Sequence, residues 1–537
     1  MVKKKALSIL LSVSMLTALT ACGQKTEELE PAATTAGQES TTTEGGSDEY
    51  ILDEVTLVVD GTFNAGIDAY QDKFIEQWDA AVSEKLGHPI HMNIIQPDHS
   101  SYSDAVGRLF ASGDYPDVIL LNAGQYAEYA QTGFLWDMTE AYDNAEFQAR
   151  MALPEVNQNV RIDGKQYGFA TELGGGCITY VKQAWLDAVG MKAEDITDWD
   201  SYYAMLKAFT EQDPDGNGKN DTYGVAAAGF IGGEAPYTNY LPQFWQKAYP
   251  SFTYDENGVW YDGFNTQETK DALLRLQKAY EDGVIDPESL TMSTKDVREK
   301  WWSANQGGSF GAFTYWAGYW NDNLVNNMEK NGVDSGLARL LPIKEMDGYL
   351  NRESPVFCII DDGDGDDSRE QAIFDAVIET MFDGDTVQML WVYGAEGYHW
   401  STEAETIITA EGTDNAKTYE FKDGEFHLRL NPDDPNALWK KNAFSESSMI
   451  CPLTNGYESS TDLTKICNEF FSENSVQAPK SAVCDALTNE GGTVTDARNE
   501  VVAAVVVKGE DVDIAMEKYV DTTKDIVTEI LAELNAE

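Results

Sequence analysis

The chain has 537 residues, and its 92 Asp and Glu against 37 Lys and Arg give a formal charge of −55. A field of that sign repels phosphate backbones and anionic lipid, which excludes nucleic-acid binding. Beyond the first fifty positions about 490 residues remain, enough for two or three domains with substantial cores.

The N-terminus reads as an export signal. Lys3, Lys4 and Lys5 form a positive start, Ala6 to Ala18 a short apolar and hydroxylated run, and Leu19-Thr20-Ala21-Cys22 an end of small residues. That run is too short for a stable membrane span. Residues 23–49 are mostly Thr, Glu, Gly, Ser, Ala and Gln and bury too little apolar surface to fold. As a tether they reach about 30 Å on average.

An alternating α/β pattern follows. Val55, Leu57 and Val59 begin a strand, and Tyr70, Phe74, Trp78 and Val82 recur every four residues as the apolar face of a helix. Ile90 to Ile95 is a second strand, Tyr102–Ser112 a helix, and Val118 to Leu121 a third strand after Pro116. Strand–helix–strand units of this length imply a parallel sheet with right-handed crossovers. A second series starts near Ile178 and runs through a helix at Trp199–Phe209; Val356–Ile360 returns to strand, followed by a helix at Arg369–Met381.

Residues 213–224 carry the most specific signal. They read Asp213-Pro-Asp215-Gly-Asn217-Gly218-Lys219-Asn-Asp221-Thr222-Tyr223-Gly224, with side-chain oxygens at alternate positions and a glycine after the third. A hard cation needs this spacing: alternate residues turn oxygens inward, and the glycine permits the sharp bend. Asp213, Asp215, Asn217 and Asp221 are the expected side-chain ligands of a structural calcium ion. Lys219 stands where a backbone carbonyl ligates. The twelfth position is Gly224, where an isolated helix–loop–helix site has a bidentate Glu.

Other motifs weigh less. Gly307-Gly308-Ser309-Phe310-Gly311 fits a nucleophile elbow, but an elbow needs a strand before it and a helix after, and here the order is reversed. His88, His91 and His99 lack a completing Cys or carboxylate pair for zinc. The run Asp361–Asp367 reads as a solvated turn before a helix, with a second weak cation site as the alternative. Beyond Cys22, Cys177 and Cys358 lie in apolar runs as small core residues, and a disulfide among Cys451, Cys467 and Cys484 stays open.

The segment 213–224 also resembles the calcium loop of long family 1 extracellular solute-binding proteins, the lipoprotein receptors of bacterial ATP-binding-cassette sugar importers. Similar matches run in the family's order: ASGDYPDVILLN (111–122), GFLWDMT (133–139), DGKQYGFATE (163–172), AWLDAVGM (184–191), LQKAYEDGVIDPESLT (276–291) and YGAEGYHW (393–400). The resemblance implies a hinged, two-lobe α/β fold of the type II periplasmic-binding-protein class, with ligand in the cleft between lobes. It implies a signal peptide over 1–21, a lipid anchor at Cys22 with a tether to 52, one lobe from 53–168 plus 350–395, and another from 169–349 plus 396–537.

Ligands of open α/β sheets sit at the carboxyl ends of strands, which selects Phe63, Asn64, Asn122, Gln125 and Tyr126. Four of the thirteen tryptophans, Trp301, Trp302, Trp316 and Trp320, fall within residues 301–320. Indoles pack on the apolar C–H faces of sugar rings while amides and carboxylates meet the hydroxyls. Trp302, Trp136 and Trp78 read as core. Family position places Trp316, Trp320 and Trp400 in the cleft, beside Tyr315 and Tyr398, and similar receptors use the place of Glu172 to contact a sugar hydroxyl. The implied protein is a non-enzymatic, monomeric receptor, lipid-anchored on the outer face of the cytoplasmic membrane. It would capture an oligosaccharide and deliver it to the permease subunits of an importer. A surface glycoside hydrolase, or a sensory binding lipoprotein without transport, is the alternative.

Overall fold

The structure is a computed structural model that describes residues 50–61, 69–98, 101–173, 175–228, 240–303, 309–413, 416–432, 434–439, 443–455, 457 and 461–536. Cys22 and the expected signal and tether lie outside the described residues, as do Phe63, Asn64 and His99.

The first sheet has the order Val356–Ile359, Val118–Leu121, Glu54–Val58, His91–Ile95. Its last three strands are parallel and the first runs antiparallel to its neighbour. All four residues of Val118–Leu121 are buried, as a central strand covered on both faces requires. The four-residue apolar period becomes the helix Gln71–Leu86, which buries Phe74, Trp78 and Val82 and ends at Gly87 in the left-handed conformation. Tyr70 falls one residue before it, as the cap. The helix Tyr102–Ser112 forms where the sequence places it.

The second sheet has the order Tyr223–Val225, Phe310–Trp316, Cys177–Lys182, Leu337–Arg339. Here the long central pair is antiparallel, unlike the parallel crossovers of the first sheet. The helix Trp199–Glu211 packs on it and starts at Asp198, whose carboxylate accepts the Ser201 N–H in a reciprocal capping box.

Two chain segments cross between the sheets side by side. Phe169 and Phe357 exchange backbone hydrogen bonds at 2.9 Å each, and Arg352 N–H donates to Gly175 O at 3.0 Å. A third element, Tyr349–Asn351, pairs in parallel with Ser475–Gln477. Gly176 is where these elements press closest: a Cβ there would stand 2.3 Å from Leu350 O and 2.4 Å from the Phe471 ring.

The expected assignment of 396–537 to the second lobe needs correction, because that segment divides. Phe444, Ile450 and Cys451 belong to the first sheet's core together with Trp391 and Phe357. The helix Thr386–Tyr393 has seven consecutive buried residues, Val387 to Tyr393, so it needs cover on every side. Trp400 and Leu453 supply part of that cover, in a cluster with Met389, Val392 and Tyr393. The helices Asp462–Glu473, Asp485–Val502 and Val512–Leu534 instead contribute to the second sheet's core.

All five cysteines from Cys177 onward are free thiols. Cys451, Cys467 and Cys484 lie in separate surroundings. The Cys467 sulfur takes the Gly318 N–H at 3.1 Å, and the Cys484 sulfur takes the Leu487 N–H at 3.4 Å. Among the described residues no helix is long and apolar enough to cross a membrane.

The crowding at Gly176 makes a prediction. Replacing it with Val forces side-chain atoms onto a backbone carbonyl that cannot retreat, and overpacking of this kind costs about 1–3 kcal/mol. Gly176→Val should lower the denaturation midpoint accordingly, whereas Gly87→Ala, with nothing within 4 Å, carries only the cost of its left-handed backbone. A Gly176→Val protein as stable as wild type would show that the crossing elements are not tightly packed.

Candidate functional site

The junction of the crossing strands gathers polar and aromatic side chains that are distant in sequence. Trp316 ends the strand Phe310–Trp316 and pairs in register with Cys177 at the start of its neighbour. Its indole is half-buried, the Arg352 guanidinium lies 4.0 Å from its ring centroid, and a Cβ on Gly175 would stand 2.7 Å from its Cζ3. Trp316 thus touches both crossing strands while part of its surface stays exposed. Trp320, in the first turn of the helix Tyr319–Lys330, is half-buried beneath the Arg298 guanidinium at 4.9 Å. Tyr315 lies beneath as support: it is buried, its hydroxyl takes an Arg298 N–H at 2.7 Å, and its ring meets Trp320 edge-on at 5.0 Å.

Glu172 sits on the first crossing strand and is half-buried. Burial pushes its carboxyl up to about 8, and Glu446 and Asp60 push the same way. Glu446 is itself raised by burial, against the Leu173 N–H that donates to its Oε2 at 3.1 Å. Ser354 on the second crossing strand donates to Glu172 O at 3.1 Å. Next to it Glu353 is raised by burial while Lys480 opposes, and the Tyr249 phenol is raised by burial and by Glu353. A carboxyl that holds its proton at neutral pH both donates and accepts, which suits hydroxyl partners.

The remaining expected residues divide. Asn122 is exposed at the carboxyl end of Val118–Leu121, but its Oδ1 caps the next helix by accepting the Gln125 N–H at 3.0 Å. Tyr126 is core, not ligand: its hydroxyl donates to Val160 O at 2.8 Å. Its place in the helix Ala123–Gln131 turns it inward onto Val160 and Cys358. Trp400 is also core; it is buried, and its Nε1 donates to Gly394 O at 2.8 Å. Tyr398 packs on Tyr70 at 5.2 Å with Lys73 above it at 5.9 Å. Neither joins the cluster that holds Trp316 and Trp320. Asp60, Arg298, Arg352, Glu353, Glu446 and Lys480 come near these residues without a motif that marks them. The only local signal was the polar run Asn351-Arg352-Glu353-Ser354 just before an apolar strand.

The residues expected to hold calcium form one loop. Asn217 Nδ2 donates to Asp215 Oδ2 at 2.8 Å and to Asp221 Oδ1 at 3.0 Å, while Asp213 accepts the Asn217 and Gly218 N–H groups at 3.1 and 2.9 Å. Gly216 and Gly218 both take positive φ, at 68° and 77°. Burial raises the Asp215 carboxyl, and Asp213 and Asp221 raise it further. A cation relieves that repulsion, so the donor set fits a hard ion. Lys219 is exposed, and its backbone N–H donates to Asn217 Oδ1 at 2.8 Å. Gly224 at the twelfth position has a packing reason: its Cβ would stand 2.7 Å from Leu206 O, so no Glu fits there.

Ser309 is followed by the strand Phe310–Trp316, not by a helix. It is buried and accepts a 2.7 Å hydrogen bond from Lys182 Nζ. Lys182 lies between Trp185 and Trp301, 4.7 Å from each ring, and burial lowers its ammonium to about 7. His91 pairs with Asp79 at 2.7 Å. Asp361, Asp362 and Glu370 bring carboxylates together, with Glu370 also paired to Arg369 at 3.0 Å.

Residues 61–360 match the family model described as bacterial extracellular solute-binding protein. Lipoprotein LipO of Bacillus subtilis is 31% identical over 207 residues, which is 37% of this chain and 39% of that protein. The polygalacturonan/rhamnogalacturonan-binding protein YtcQ of the same organism is 25% identical over 331 residues, 57% of this chain and 60% of that one. The chain therefore matches under two thirds of the length of each. In structure, the N-glycan transport solute-binding protein NgtS of Streptococcus pneumoniae superposes with a TM-score of 0.58, covering 90% of this chain and 98% of that one at 16% identity. The fold is that of the type II periplasmic-binding-protein-like solute-binding proteins.

The raised Glu172 carboxyl sets a pH dependence. Its folded value, about 8, lies above the ordinary 4.5, so the folded state holds the proton that the unfolded chain releases. Stability should therefore fall as pH rises from about 4.5 to about 8 and level off above. Glu172→Gln should make that slope shallower in denaturant unfolding measured across the window. An identical slope in both proteins would show that Glu172 ionises normally.

Proposed function

The chain belongs to the bacterial extracellular solute-binding protein family, and we propose that it is a lipid-anchored receptor that captures an oligosaccharide and delivers it to an ATP-binding-cassette importer. One observation carries the ligand reading. Trp316, against the crossing strands, and Trp320, beside Tyr315, are each only half-buried; the Arg352 and Arg298 guanidinium groups lie against them, and Glu172 is on the crossing strand that carries Gly175. Flat apolar faces ringed by hydrogen-bonding groups match a sugar ring's C–H faces and hydroxyls. Lys3 to Cys22 supports export and lipid attachment, and residues 23–49 a tether. The acidic polysaccharides named for one relative and the N-glycans named for a structural neighbour both support a chain of sugars as ligand. Binding that draws the sheets together around such a chain would present a closed form to a permease.

The test is a glycan array followed by calorimetry on wild type and tryptophan variants. Stacking that removes roughly 100 Å² of apolar surface from water contributes about 2.5 kcal/mol, or a factor of about 60 in affinity. Trp316→Ala or Trp320→Ala should lose affinity on that scale and keep most of its thermal stability. Trp400→Ala, a core truncation, should cost about 3–5 kcal/mol of stability instead. Full affinity in both junction variants would remove this site. Hydrolysis products after incubation with bound glycan would favour a surface glycosidase using the Glu172 and Glu446 carboxyls.

Asp213, Asp215, Asn217 and Asp221, with the Lys219 backbone, would hold calcium as a structural ion. The loop leads into Tyr223, which pairs with Phe310, six residues or about 20 Å of strand from Trp316. A ligand of the folded state alone adds about 2.7 kcal/mol at a hundredfold excess over its Kd. Chelator should therefore lower the melting temperature and calcium restore it, with glycan affinity at 25 °C little changed. An Asp213→Ala protein that responds to chelator as wild type does would refute this role.

A further inference from the structure

A cavity of about 240 Å³ opens beside the junction, between the segment Tyr249–Phe252 and the helix Asp485–Val502. Its composition runs against that of the chain. The protein has 92 acidic residues among 537, so eleven lining residues would ordinarily include about two. They include none, and they include Lys480 and Arg498. Hydroxyls of Tyr249, Ser251, Ser481 and Thr495 complete the polar wall.

The two cations differ. Arg498 is buried and tethered: its Nη2 donates to Asp262 Oδ1 at 2.8 Å and its Nε to Tyr519 Oη at 3.3 Å, while its guanidinium lies over the Phe252 ring at 4.8 Å. Lys480 is exposed at the cavity's rim, and its backbone N–H donates to Tyr254 Oη at 3.4 Å. Lys480 lies within electrostatic reach of Glu353, whose carboxyl is raised by burial while the Lys480 ammonium pulls it back down. Tyr249 on the cavity wall feels both Glu353 and Arg352, and Arg352 is the group that covers Trp316. Through Tyr249 the cavity wall thus lies within electrostatic reach of the crossing strand that carries Arg352 and Glu353.

We propose that this cavity is a subsite for a carboxylate-bearing sugar unit, a uronate, at one end of the bound glycan. The proposal rests on the oligosaccharide reading above and specifies its charge. The volume lies below the roughly 300–1,000 Å³ of pockets that enclose drug-sized ligands, so it takes one ring and not a chain. Lys480 meets the carboxylate as a point charge, the serine and threonine hydroxyls meet the ring hydroxyls, and the Arg498–Asp262 pair shapes the floor without binding a second anion. In a protein of charge −55 an acidic glycan is otherwise repelled, so a local cation decides whether it is accepted.

The experiment compares galacturonate- and glucuronate-bearing oligosaccharides with the same chains after their carboxyl groups are reduced to alcohols. Binding to the purified full-length protein is measured by calorimetry at low and physiological salt. Wild type should prefer an acidic chain over its reduced counterpart by about tenfold or more, with the preference shrinking as salt rises. Lys480→Glu should abolish that preference and Lys480→Arg should keep it, both with wild-type melting temperatures. Equal binding of acidic and reduced chains, or an acid preference that survives in Lys480→Glu, overturns the subsite and leaves the sugar-receptor reading standing. Binding of only neutral glycans does the same. If no glycan of either charge binds, the receptor reading fails together with the subsite.

Discussion

The structure hangs on the pairing of two crossing strands. Phe169 and Phe357 hold each other through both backbone groups, and Gly175 receives the Arg352 N–H a few residues on. These segments come from positions about 190 residues apart and are the route by which the chain leaves one sheet and returns to it. Their pairing sets where the sheets meet and which side chains face that meeting. Gly175 and Gly176 matter because they lack side chains: one admits the Trp316 indole, the other the Leu350 carbonyl and the Phe471 ring. Trp316 touches this backbone pair, and Glu172 is carried on it.

Charge is distributed against the chain's overall bias. The protein is strongly acidic, yet several of its cations lie against aromatic rings. Arg352 covers Trp316, Arg298 covers Trp320, and Lys182 is enclosed by Trp185 and Trp301. Cation–π contact stabilises a charge that burial would otherwise penalise. The acids at the junction behave in the opposite way: Glu172, Glu446 and Glu353 lie where burial favours the proton.

The elements were largely legible, the site less so. Phe74, Trp78 and Val82 repeat at a helix's period and do form one buried face. Val118–Leu121 is uniformly apolar and is a buried strand. Trp316 and Trp320 are both half-buried, one at the end of a strand against Arg352 and the other in the first turn of the next helix against Arg298 and Tyr315. Trp400 and Tyr126 misled for a shared reason. Each stands beside polar neighbours in sequence, but a helix face needing cover, or helical register itself, draws it into a core. Asn122 holds its expected place but spends its side-chain oxygen on a cap.

What the sequence by itself determined is local or cumulative: the α/β alternation, the helical and strand periods, the spacing of the loop at Asp213, and the family, which ordered motifs reveal without any contact. Tertiary structure alone decided which tryptophans face the junction, that 396–457 covers the first core, and that Glu172 meets Glu446. It alone decided that Lys480 and Arg498 share a cavity with no acid. The physical reason is separation along the chain. Glu446 accepts from a backbone group 273 residues away, and Arg352 covers an indole on another strand. No periodicity encodes such a pairing; it exists only once the crossing strands have brought the two sheets together.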